Sequence, residues 1–97
     1  MELKIREVHE HTVSLDGLAM DFVYEDLDDY INKPTLEDIE DYLEFWLKDF
    51  YYDRKTGRGI DYNHLLPQDK EKLLRKFIDI VNDLLSVEGK DELDINV

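Results

Sequence analysis

Cysteine is absent from this chain, so it has no disulfide framework, no thiolate nucleophile and no cysteine-type zinc site. Serine occurs only at Ser14 and Ser86, and neither belongs to a Ser-His-Asp motif. With two prolines and four glycines, no Pro/Gly-rich linker divides the 97 residues. That length suits one domain over 1–97. No apolar run approaches the ~20 residues that span a bilayer. The opening MELKIREVHEH lacks the basic-then-apolar pattern of a signal peptide. These absences point to the cytoplasm. Bases are scarce too: 12 Lys and Arg stand against 25 Asp and Glu, a net charge of −13.

The acidic excess is uneven. Residues 1–53 hold 16 acids and 4 bases, net −12, whereas 54–97 hold 9 and 8, net −1. Within 21–53 there are 12 acids against Lys33 and Lys48, net −10. Such a field repels nucleic acid and anionic membranes and attracts basic protein surfaces. Direct nucleic-acid or membrane binding is therefore not expected.

The chain is organised around TLEDIEDYLEFWLKDFYYDR, from Thr35 to about Arg54. Leu36, Ile39, Leu43, Trp46, Leu47 and Phe50 recur at three- and four-residue steps, the stripe of an amphipathic helix. Pro34 precedes Thr35, a fitting N-cap, and Glu37 and Asp38 complement the dipole in the first turn. A second helix is expected from Pro67, with Leu73, Leu74, Phe77, Ile78, Ile80, Val81, Leu84 and Leu85 covering about half its circumference, and Gly89 ending it.

The first third reads as β structure. Leu3 and Ile5 alternate with Lys4 and Arg6, and Asp16-Gly17 carries the signal of a type I′ hairpin turn. That register sets Leu15 opposite Leu18, Val13 opposite Met20, His11 opposite Phe22 and His9 opposite Tyr24. Ile60, Tyr62 and His64 suggest a short strand, and Leu93 to Val97 alternates as a final strand would. The expected fold is α+β: an N-terminal antiparallel β-hairpin sheet, two main α-helices packed on it, and a C-terminal strand as an optional addition.

Most candidate sites weaken on inspection. His9 and His11 share one face of the expected strand and His64 could join them, but the sequence fixes no third metal ligand. Glu25, Asp26, Asp28 and Asp29 are charged like a cation loop, yet an EF-hand frame from Asp26 puts Ile31 where glycine is required. Arg54, Lys55 and Arg58 with Gly57 and Gly59 form a basic loop without either phosphate-binding fingerprint. They read more simply as the end of a helix. With 25 acids, carboxylate pairs for acid–base work are cheap to find, so they do not argue for an enzyme. No metal and no cofactor is expected.

What remains is the acidic face of the first long helix and the segment before it. Glu37, Asp38, Asp41, Glu44 and Asp49, with Glu25, Asp26, Asp28 and Asp29, are the candidate partner-binding carboxylates. Tyr42, Phe45 and Tyr52 are the aromatic anchors among them. Carboxylates three or four apart on a helix stand ~5–6 Å from one another, comparable to phosphates along a DNA strand. A protein carrying such an array can fill a surface built to neutralise nucleic-acid backbone.

In size, charge and cysteine-free α+β character the chain is similar to phage and mobile-element inhibitors, among them DNA-mimic anti-restriction and anti-CRISPR proteins. It equally resembles acidic immunity proteins and antitoxins that cap basic nuclease toxins. Either resemblance implies a non-enzymatic partner of a basic, nucleic-acid-binding protein or nuclease. A structural or assembly domain, with acidity serving solubility and homodimerisation left open, is the third expectation.

Overall fold

The computed structural model describes residues 2–6, 10–27, 33–50 and 59–96, with the backbone alone at 2–6, 10–13 and 50. Strands β1 (Glu2–Arg6) and β2 (Glu10–Ser14) lead into helix α1 (Asp16–Asp21), which continues as a π-helical turn over Phe22–Asp26. Helix α2 spans Leu36–Phe50, a 3₁₀ turn covers Tyr62–His64, and helix α3 runs over Pro67–Val87.

The chain is mostly helical, so the α+β expectation is overturned. The two strands pair antiparallel, from Glu2 with Ser14 to Arg6 with Glu10. That short ladder is all the β structure among the described residues. Among the described residues there is no hairpin at Asp16-Gly17. Instead Asp16 and Gly17 open α1. The burial pattern decides it. A strand from Leu18 would hide Leu18, Met20, Phe22 and Tyr24, but the structure buries Leu15, Leu18, Ala19, Phe22 and Val23 and exposes Met20 and Tyr24. Those five follow the i, i+3, i+4, i+7, i+8 rule of a helix face. Each large side chain so buried stabilises by ~1.5–3 kcal/mol, more than the preference of one dipeptide for a turn.

Helix α2 matches its sequence pattern. Thr35 and Asp38 cap it reciprocally. The Asp38 backbone N–H donates to Thr35 Oγ1 at 3.3 Å, and the Thr35 N–H donates to Asp38 Oδ2 at 2.8 Å. Ile39, Leu43 and Leu47 are fully buried, while Leu36 and Trp46 pack against the same core from its edge. The expected extension to Arg54 lies outside the described residues.

Beyond it, Gly59 passes so close to the Lys48 backbone that a Cβ would collide with the Lys48 carbonyl. Ile60, Tyr62 and Leu65 are then buried, with Tyr62 in a 3₁₀ turn and the other two flanking it, not in the expected strand. Asp61 starts that turn by accepting the Asn63 N–H at 3.1 Å.

Helix α3 begins with Pro67 in its first turn, as the sequence suggests, and buries Leu73, Leu74, Phe77, Ile78, Val81 and Leu85. It ends in a Schellman motif. Gly89 adopts φ 70°, its N–H donates to the Ser86 carbonyl at 3.1 Å, and Lys90 N–H donates to the Leu85 carbonyl at 2.8 Å. The expected C-terminal strand is absent. Leu93 is buried against α3 by a side chain that imitates a ladder: its N–H donates to Asn82 Oδ1 at 2.8 Å, and Asn82 Nδ2 donates to its carbonyl at 3.3 Å. The buried apolar residues from α1 to this tail form one cluster.

Two glycine substitutions test these placements. Gly17 has no positive φ and open space around it, so Gly17→Ala is expected to raise stability in urea unfolding by ~0.4–1 kcal/mol. A type I′ turn would make the same change destabilising. Gly59→Ala is expected to cost ~1–3 kcal/mol, because the Lys48 backbone must move.

Candidate protein-binding surface

The exposed side of α2 follows from its buried one. Positions 37, 41, 45 and 49 step by four residues around the face opposite Leu43. Glu37, Asp41 and Asp49 are exposed, and Phe45 is 60% exposed. The Phe45 ring meets the half-buried Trp46 edge-on, with centroids 5.2 Å apart, which holds an apolar ring among carboxylates. Lys48 is the helix's single base and is exposed beside them.

Other candidate residues are engaged by the protein itself. Asp38 caps α2, and half-buried Glu44 accepts the Asn63 side-chain amide at 2.8 Å. Glu40 accepts the Tyr62 hydroxyl at 3.0 Å. Burial, then that hydrogen bond, pushes the Tyr62 hydroxyl far above its ordinary range.

Tyr42, expected among the surface aromatics, is in the core at 7% exposure. Its ring packs 5.0 Å from Phe22 and 5.8 Å from Phe77. Its hydroxyl donates towards the Leu18 carbonyl at 3.0 Å and Asp21 Oδ2 at 3.2 Å. The residue sits one step outside the apolar stripe, where α1 covers it. Burial first, and the Asp21 charge second, hold the phenol protonated well beyond its usual range.

That contact gathers acids at the start of the π turn. Glu25 is exposed and shares a hydrogen bond with Asp21; Asp26, half-buried, adds its charge nearby. The Asp21 hydrogen bond, then Asp21 repulsion, raise the Glu25 carboxyl above its ordinary value. Asp28, Asp29 and Tyr52 lie outside the described residues, as do His9, Arg54, Lys55, Gly57 and Arg58. The side chain of His11 is likewise undescribed, and His64 pairs with Asp61 at 3.2 Å.

Among the described residues no group of three or more His, Asp or Glu side chains could hold a metal ion. No described helix is long and apolar enough to cross a membrane. A depression of about 360 Å³ between α3 and the tail is lined by Arg75, Ile78, Asp79, Ile95 and Asn96. That lining offers one carboxylate and no hydroxyl or imidazole.

Sequence reading missed Met20, Tyr24 and Val87, which are 50%, 47% and 81% exposed. The helical spacing of Leu15, Leu18, Ala19, Phe22 and Val23 was the signal that places the first two outside. No family model, no curated protein and no solved structure matches this chain. The surface must therefore be read on its own chemistry.

The Glu25–Asp21 pair predicts a pH effect. A raised carboxyl means the folded chain keeps the Glu25 proton to higher pH than the unfolded chain does. Its contribution is then full below the ordinary value of 4.5 and is lost as pH rises through the raised one. Glu25→Gln keeps a donor for Asp21 without the charge. Thermal melts across pH should show the variant gaining on the parent from about pH 4.5 upwards, with the higher Tm at neutral pH. A variant that gains nothing on the parent between pH 4 and pH 7 would contradict the raised carboxyl.

Proposed function

We propose that this protein is a non-enzymatic acidic binder that occupies the basic nucleic-acid-binding surface of a partner enzyme. The observation that carries this reading is Phe45, 60% exposed on the same face of α2 as Glu37, Asp41 and Asp49. Carboxylates alone are accounted for by solubility. An exposed aromatic ring, set edge-on to Trp46 among those carboxylates, adds what charge alone does not supply, since interfaces favour such rings as desolvated anchors. The ~5–6 Å separation of helical i, i+4 neighbours offers a Lys/Arg array the periodicity it uses on backbone phosphates. The carboxylates steer encounter and the ring lowers dissociation. The fold departs from the α+β character of the inhibitors the sequence resembles, so the reading rests on the surface.

The test is capture of a partner from host lysate on the immobilised protein, followed by elution with duplex DNA. The expected partner is displaced by DNA and lost when Glu37, Asp41 and Asp49 are all changed to Lys. Glu44 is left alone because it holds Asn63. Phe45→Ser should weaken capture while changing stability by less than ~1 kcal/mol, as surface substitutions do. A partner that survives the triple reversal overturns the reading. A captured small toxin indifferent to DNA would favour an antitoxin-like role instead.

A further inference from the structure

Of the five large hydrophobic side chains exposed among the described residues, Met20 and Tyr24 share the α1 segment, and Tyr24 is hydrogen-bonded to the residue that follows Val87. Met20 and Tyr24 lie one turn apart on the outer face of α1 and its π turn. The Tyr24 hydroxyl donates to Glu88 Oε1 at 3.0 Å, which brings it beside Val87 at the end of α3. Tyr24 is half exposed, and the methionine and the valine are as exposed or more so. Single exposed apolar residues need no explanation, but a contiguous group rimmed by charge marks an interaction surface. Polarisable, adaptable methionine is common on such surfaces.

The rim has one sign. Asp16 and Glu25 are exposed on a segment, Asp16 to Leu27, that carries no base, and exposed Glu88 closes the far side. Lys90, two residues beyond Glu88, is the base nearest in sequence. We propose that Met20, Tyr24 and Val87 form a second docking surface, which takes a basic amphipathic segment of another protein. Its apolar side chains would cover the three residues while its Lys or Arg side chains meet the acidic rim. A second copy is disfavoured as occupant. Two such patches face to face would oppose identical carboxylates on chains that each carry −13. None of these residues belongs to the α2 face, so this inference does not rest on the function proposed above.

The experiment labels the methionine methyl groups with ¹³C and adds a synthetic amphipathic helical peptide of leucine and lysine. Met1 and Met20 are the two methionines, so Met20 reports at the patch itself. The expected result is a saturable shift of the Met20 methyl signal. Met20→Ser with Val87→Ser should lower calorimetric affinity roughly fivefold or more, whereas Leu66→Ser, at an exposed leucine outside both surfaces, leaves it within about twofold. Val87→Ser alone, at the most exposed position, should move affinity in the same direction and keeps the test valid if the double variant folds poorly. An unmoved Met20 signal overturns the proposal, as does an equal loss from Leu66→Ser. So does equal binding of a leucine–glutamate peptide, or a Met20 shift that follows protein concentration without peptide, the mark of a second copy.

Discussion

Three aromatic rings hold the described helices to one another. Phe22 from the π turn, Tyr42 from α2 and Phe77 from α3 meet with centroids 5.0, 5.6 and 5.8 Å apart. Such pairs contribute ~0.5–1.5 kcal/mol each beyond the area they bury. Tyr42 also brings a hydroxyl into the core, and a buried hydroxyl must find a partner. It finds the Leu18 carbonyl and Asp21, where α1 gives way to π hydrogen bonding. One side chain thus sets the distance between α1 and α2. The same hydrogen bonds draw Asp21, and with it Glu25, towards α2.

This arrangement concentrates charge that would otherwise be spread out. Four acids of the α1 segment and those of α2 belong to elements packed through one tyrosine. Like-charge crowding opposes the compact state. Part of it is relieved locally: Asp38 caps its own helix, Glu44 takes an amide, and Glu40 takes a phenol. Glu37, Asp41 and Asp49 remain exposed on the outer face of α2.

Legibility in the sequence followed the range of the forces involved. The α2 stripe, the Thr35 cap, the Pro67 start and the Gly89 stop were readable because each is decided within a turn or two of helix. Helical arithmetic from Leu43 also placed Phe45 outside. The hairpin reading failed because Asp16-Gly17 is a two-residue signal, while Leu15, Leu18, Ala19, Phe22 and Val23 form a five-residue one that only burial against α2 and α3 rewards. Tyr42 was misplaced for a related reason. It lies at the margin of its stripe, and which side of the margin is inside depends on α1, an element assigned to a strand. The Met20–Tyr24–Val87 patch depends on that same correction and on a contact 64 residues apart in sequence. No local pattern reports it.

The two sides of α2 show which error a fold can tolerate. Phe45 and the carboxylates share a side, so a layer covering the ring would also cover Asp41 and Asp49. Each unpaired buried carboxylate costs several kcal/mol, whereas leaving one phenylalanine in water forgoes ~1.5–3 kcal/mol. Exposure is the smaller loss, and it is what the structure contains. A smaller loss is still a loss, however, and serine or lysine at this position would avoid it. Trp46 does not remove the cost; it fixes the ring edge-on and leaves its other surface open. On the function proposed above, a partner that covers the ring and neutralises Asp41 and Asp49 in one step recovers both terms.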